Sequence, residues 1–276
     1  MNSRTVITSG GDLILRSISF ANIGLLILLP IVAITISAMN GGIVSLWENI
    51  TTPQALYSLR LTFIIAFIMV VLNVVTGTAT AWVLVRYRFP CKNLMNALID
   101  LPFAIPTVVT GIMLIALYGP NSVVGSFLGK RGIEIIFNKP GILLALLFVS
   151  FPFVVRAVQP VLHEMEIDME EAARTLGASP VTIFVRIIIP TLLPAIMTGA
   201  ALSFSRAIGE FGSIVIVAGN IPFKTQVSSV YIYGELESYN SQGALGLSIV
   251  LLLCAFITLV LLNILQKWTR KHEQAR

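Results

Sequence analysis

Two stretches of this sequence carry residues whose types and spacing suit a definite chemistry. The first is residues 163–189, HEMEIDMEEAARTLGASPVTIFVRIII, which hold five of the 13 acids: Glu164, Glu166, Asp168, Glu170 and Glu171. Asp168 followed three residues later by Glu171 reads as a capping-box-like helix start. The helix so opened runs through Ala172, Ala173 and Leu176. Gly177 stands where a helix closes on a left-handed residue. Ser179 suits the N-cap of a second short helix and Pro180 its first turn. Pro190 then marks the entry to a long apolar run. Such an elbow suits docking rather than catalysis. Two adjacent alanines leave a shallow face that another protein can approach closely, and acids around them steer a partner with a basic rim. An ordinary solvated connector is the plainer reading of the same residues.

The second stretch holds Arg206 and Glu210 inside an otherwise apolar run. Ionisable groups in a membrane are costly, so they face a cavity or each other. Spaced i, i+4, these two can pair on one helix face. In one reading Arg206 lines a pathway and offers its planar guanidinium to a tetrahedral dianion, with Ser203 and Ser205 adding hydroxyl donors. In the other, the pair neutralises itself and packs two subunits together. Arg156 and Asp100 form a further candidate pair, or snorkel separately to the interface. Pro102, Pro106, Pro152 and Pro160 punctuate two other apolar runs, where missing amide donors bend helices. Gly209 and Gly212 permit close helix approach.

Enzyme chemistry finds no support. The nearest approach to a P-loop is Gly129-Lys130, but Val124 replaces the first glycine and Arg131 the closing Ser or Thr. No metal-binding HExxH or dinucleotide fingerprint occurs, and His163 and His272 stand at loop and tail positions. Cys91 and Cys254 make neither a disulfide framework nor a zinc site. The expectation is a chain with no catalytic residue, no metal and no cofactor of its own.

The elements that must position these residues follow from composition. Of 276 residues, 56 % are hydrophobic and 11 % charged, and the mean hydropathy is +0.91. A soluble domain usually carries about a quarter charged residues, so a water-exposed globule and a disordered chain are both excluded. The net charge of +5 is spread along an apolar chain, which argues against nucleic-acid binding. A hydrocarbon core about 30 Å thick needs roughly 20 apolar residues as helix. Six runs qualify: 20–39, 58–85, 97–118, 141–162, 190–218 and 245–265. They are continuous rather than alternating, which excludes a barrel. The first reads as an uncleaved helix rather than a signal peptide. With the N-terminus inside, Arg4, Arg16, Arg86, Arg88, Lys92, Arg174, Arg186, Lys267, Arg270, Lys271 and Arg276 are cytoplasmic, against Lys130, Arg131, Lys139 and Lys224 outside. That excess places both termini in the cytoplasm.

Glu171-Ala172-Ala173, then Gly177, then Ile187 to Pro190, resemble the EAA signature of ABC importer permeases. That pattern is E-A-A, three residues, G, nine residues, I-x-L-P; Ile189 here replaces the usual leucine. Arg86-Tyr87-Arg88-Phe89-Pro90, Asp100 to Thr107, Pro152 to Arg156, Gln159 to Leu162, Ala201 to Phe204, Arg206 to Gly212 and Gly219 to Pro222 extend the likeness over residues 56–265. Together they resemble the CysT-type family of sulfate/thiosulfate permeases. The resemblance implies an all-α polytopic membrane protein of about six transmembrane helices, with the type I ABC importer (MetI-like) fold. It divides the chain into 1–55 (N-terminus, first helix and external loop), a permease domain at 56–265 and a basic tail at 266–276. It implies a second permease of CysW type, two CysA-type ATPases that use ATP and Mg, and an extracytoplasmic sulfate-binding protein. Glu170, Glu171, Ala172, Ala173, Gly177, Ile187 and Pro190 would couple the ATPases to the membrane, and transport would proceed by alternating access. The setting would be a bacterial inner membrane, or a plastid envelope. A molybdate or tungstate permease and a secondary anion carrier are the alternative functions.

Overall fold

The computed structural model describes residues 10–273, with side chains from Ile14 to Leu261 and at Ile264. Arg4 and Arg276 lie outside the described residues, as do the side chains of Lys267, Arg270, Lys271 and His272. The described chain is helical without strands. Lipid gives an open backbone no partner, and helices satisfy their own amides.

Helix α1 (Gly10–Ile23) runs through a π turn, Gly24–Leu28, into α2 (Leu29–Met39). A short α3 (Gly42–Ile50) precedes α4 (Pro53–Arg86). Next come α5 (Lys92–Ala104), α6 (Thr107–Tyr118), the short α7 (Val123–Gly129) and α8 (Lys139–Glu164). The elbow is α9 (Asp168–Thr175) and α10 (Pro180–Ile183), followed by a second π turn, Phe184–Ile188, and α11 (Ile189–Ile208). Finally α12 (Gly212–Ala218), α13 (Ser228–Glu237) and α14 (Ser241–Glu273) close the chain. Five helical segments are long and apolar enough to cross a membrane: Ile14–Met39, Pro53–Arg86, Lys139–Glu164, Pro180–Ile208 and Ser241–Leu261.

Helices α4, α8 and α11 form the core. At the elbow end Ala81 and Leu84 cluster with Leu162 and Met165; at the far end Leu61 and Ile65 cluster with Ile142 and Leu146. Therefore α4 and α8 run in the same direction, and α11 returns. Within the elbow-end cluster Val154 is clamped by two glycines. A Cβ at Gly77 would lie 2.9 Å from the Val154 Cβ, and one at Gly199 would lie 2.7 Å from the Val154 Cα.

Three expectations from sequence are corrected. The run 97–118 is not one straight helix: α5 and α6 meet at a 113° bend. Pro106 denies a donor at the break, and Gly111 and Gly212 let α6 lie against α12 too closely for any Cβ. The run 190–218 is not one helix either. It begins at Pro180, ends at Ile208 and resumes as α12 after a break at Gly209–Phe211. Pro190 therefore lies inside the span rather than at its entry. It lacks the N–H that the Arg186 carbonyl would receive, and its ring crowds that carbonyl. The helix widens just before it, with the Ile189 amide bonding the Phe184 carbonyl. The same device precedes Pro30, where the Leu29 amide bonds the Gly24 carbonyl. Helix α14 extends to Glu273, through most of the 266–276 segment.

Gly199→Val should abolish folded protein, because the new methyls meet Val154 backbone that cannot move aside. Gly129→Val, which meets open space, should leave the yield near wild type. Fluorescence-detected size exclusion of detergent extracts checks both outcomes.

Candidate functional site

The elbow is built as its turn residues require, with one exception. Ser179 caps α10, its Oγ accepting from the Thr182 amide at 3.2 Å. Gly177 has φ +83°, and no atom lies within 4 Å of where its Cβ would be. Its demand for glycine is thus conformational, not steric. The exception is the capping box. Residue Ile167 holds the N-cap of α9 with helical dihedrals and no side-chain hydrogen bond. Asp168 and Glu171 instead lie in the first turn, where acids complement the helix dipole.

The elbow's outer surface is exposed and apolar in part: Leu176 is 88 % and Val181 72 % accessible, with Glu171 and Ala172 also exposed. Ala173 is half-buried against the core cluster at the elbow end, as is Ile187, while Pro190 is exposed. Glu170 faces inward. Its Oε1 accepts from the Arg86 guanidinium at the end of α4 at 2.6 Å. The two side chains are only 8 % and 13 % exposed. This pairing was not legible from sequence, because 84 residues separate its members.

A second pair sits about 12 Å deeper, eight residues from the end of α8. Arg156 makes a two-pronged contact with Asp100, Nε to Oδ1 and one terminal nitrogen to Oδ2, both at 2.6 Å. It also donates to the Asn96 carbonyl at 2.9 Å and to the side chain of Gln159. The first half of the broken span, α5, is thereby fastened to α8. Of the two sequence readings for Arg156 and Asp100, pairing and separate snorkelling, the pairing is the one present.

Arg206 and Glu210 also meet, at 2.6 Å, but at the far end of their span. Arg206 lies 20 residues beyond Arg186, about 30 Å along a helix. Glu210 has left the helix. It is 1 % exposed, and its Oε1 accepts from the Ser213 amide at 2.9 Å and the Ser213 hydroxyl at 2.8 Å. Its carbonyl accepts from the Ser229 hydroxyl at 2.6 Å. Glu210 thus caps α12 and ties it to α13. Arg206 keeps a third of its side chain exposed. Ser203 does not join this group. It is buried, and its hydroxyl donates to the Ser150 carbonyl across α8 and α11 at 3.1 Å. The Ser205 hydroxyl is buried with no hydrogen-bond partner. Ser213 and Ser229, missed from sequence, are the groups that complete the site. On the same side as this pair, a cavity of about 510 Å³ opens between the 118–138 segment and Lys224, with Lys130 and Glu134 in its wall. Among the described residues no cluster of His, Cys, Asp or Glu could hold a metal.

The profile of the binding-protein-dependent transport system inner membrane component family matches residues 73–271. The chain belongs to this family. Curated relatives agree over most of their length. The sulfate transport system permease protein CysT of Synechocystis sp. is 44 % identical over 90 % of this chain and 87 % of its own. The protein of that name in Escherichia coli K12 is 41 % identical over 88 % and 87 %. A probable cysT protein of Chlorella vulgaris is 49 % identical over 78 % and 81 %. Among solved structures, a bacterial ABC transporter that imports the polysaccharide alginate superposes with TM-score 0.75 at 15 % identity, covering 95 % of this chain and 96 % of that one. The inward-facing MetNI methionine ABC transporter gives 0.57 at 16 % identity, covering 78 % and 94 %. These likenesses establish the type I ABC importer permease fold.

Glu210→Ala in the purified protein should cost about 3 kcal/mol, because it strips the α12 cap and leaves Arg206 without its counter-ion. Ser203→Ala, which loses one neutral hydrogen bond, should cost about 1 kcal/mol. Thermal melting in detergent should rank the two in that order.

Proposed function

We propose that this chain is the membrane-spanning permease subunit of an ATP-driven sulfate importer, with ATP hydrolysis supplied by separate subunits. The observation that carries the reading is the elbow. An EAA sequence is folded as a protruding helix pair, with exposed Ala172 and Leu176 and a left-handed corner at Gly177. The names of the relatives favour sulfate over molybdate or tungstate, which as tetrahedral dianions present the same charge. A secondary carrier would give no reason for such an elbow.

In this reading the elbow faces the cytoplasm and seats on an ATPase of CysA type, with ATP and Mg bound there. A CysW-type permease supplies the other half of the pathway, and a second ATPase serves it. A sulfate-binding protein docks on the opposite side, near the cavity walled by Lys130 and Lys224. The membrane is the cell inner membrane, with both termini cytoplasmic. Closure of the ATPases moves the elbows, the attached helices rock, and the cavity opens outward. The loaded binding protein releases its anion, and hydrolysis resets the inward state. Arg206, at the outer end of its span, offers its exposed guanidinium face to the passing dianion while Glu210 holds it in place. A weak site suits transport, because capture belongs to the binding protein and the pathway must let go.

Labelled sulfate uptake should be abolished by vanadate and survive collapse of the ion gradients; the reverse pattern would establish a secondary carrier. At matched expression, Arg206→Met should lower uptake about tenfold or more and Arg206→Lys less, since lysine keeps the charge but loses the planar fork. Wild-type uptake in both would remove Arg206 from the pathway. Gly177→Leu should uncouple ATP hydrolysis from uptake in a reconstituted complex, because a side chain resists the left-handed corner.

A further inference from the structure

We propose that the Arg86–Glu170 ion pair is the strut through which movement of the elbow reaches the long helix α4. The proposal rests on the reading that the elbow seats on an ATPase. It concerns what happens on the elbow's other face.

Helix α9 has one buried residue, and that residue is the carboxylate Glu170. Its attachment to the membrane part is therefore chiefly a charge rather than an apolar side chain, with only half-buried Ala173 packed beside it. Its two covalent links are non-helical: Met165–Glu166 on one side, and the segment from Gly177 to Ser179 on the other. Beyond the second link lies the π turn Phe184–Ile188. The chain path from α9 to α11 thus crosses a corner, the short α10 and a widened turn. The path to α4 is direct, through the ion pair at 2.6 Å with Ala173 packed beside it.

That contact is held from several sides. Arg86 is the last residue of α4, and its guanidinium carbon stacks 5.5 Å above the Trp82 ring one turn back. Trp82 in turn meets Phe184, the first residue of the π turn, edge-on at 5.8 Å. Apolar surfaces resist being pushed together but slide and part readily. A desolvated ion pair resists separation as well, because parting it leaves two buried charges without partners. The Arg86–Glu170 pair can therefore transmit both a push and a pull from the elbow to α4. It is joined at one point, since the Arg86 Nε is buried with no hydrogen-bond partner. A one-point joint lets α9 pivot as the ATPase closes without releasing α4.

The test uses the whole complex in proteoliposomes, with sulfate-loaded binding protein outside and ATP at the elbow face. Sulfate imported per ATP hydrolysed is read, together with cross-linking of Ala172→Cys to the ATPase. Glu170→Gln keeps the shape and removes the charge. It should keep the cross-link and lower the sulfate-to-ATP ratio roughly fivefold or more, the scale of a coupling between sites. Arg86→Met should do the same, and the exchanged pair Arg86→Glu with Glu170→Arg should regain part of the ratio. If the neutral variant is lost from the membrane, Arg86→Lys, which keeps the charge but cannot reach as far, should lower the ratio in the same direction. An unchanged ratio overturns the strut. So does a parallel fall of ATPase and uptake at constant ratio, which is what a merely structural pair would give. Absence of the cross-link in a complex that carries Ala172→Cys alone, with the Arg86–Glu170 pair intact, overturns the functional reading itself, and is distinguished from failure of the strut alone.

Discussion

Lipid offers no hydrogen-bond partner in the hydrocarbon core, so every break in a membrane helix must be met by the protein itself or by a wet cavity within it. That constraint organises this molecule. Its spans are interrupted at Ile105–Pro106 and at Gly209–Phe211, and are widened before Pro30 and Pro190. Three of these interruptions show how they are met. The π turns keep their amides bonded over a longer reach. The break after Ile208 is closed by Glu210, which takes up the amide of Ser213. A carboxylate buried in such a place requires a counter-charge, and Arg206 supplies it. The cap thus explains the acid, and the acid explains part of the arginine. About a third of the Arg206 side chain remains exposed beside the pair.

The charged residues show the same economy. Three ion pairs join separate elements: α4 to the elbow, α5 to α8, and α11 to the start of α12. They lie at three depths, from the elbow inward to the far side. Between the outer two pairs, the core of α4, α8 and α11 is closed by glycines around Val154, a fit that allows little sliding. In the proposed mechanism, motion at the elbow acts on this closely fitted core.

Much of this was legible in the sequence. The apolar runs located the spans because the length needed to cross lipid is fixed. The elbow's glycine and serine were readable because a left-handed corner and an N-cap demand particular residues. The i, i+4 spacing of Arg206 and Glu210 anticipated their contact, though not that Glu210 leaves the helix to cap another. What sequence could not supply was tertiary. Pro106 announces a bend, but its size depends on Gly111 and Gly212 admitting α12 alongside. Asp168 and Glu171 have capping-box spacing, yet Ile167 takes the cap position. Glu170 reads as part of the elbow's docking face until Arg86, far away in sequence, is found beside it. Ser203 reads as a pathway donor until α8 is seen to claim its hydroxyl.

The central claim is that this chain couples a partner's ATP hydrolysis to the passage of a tetrahedral dianion. The most direct test is the ATPase rate of the purified complex, measured with its binding protein empty and then loaded with sulfate, thiosulfate or molybdate. Stimulation by the sulfate-loaded protein, lost when this permease is omitted, is the predicted result. An ATPase rate indifferent to the loaded binding protein, or raised by molybdate alone, would contradict the account.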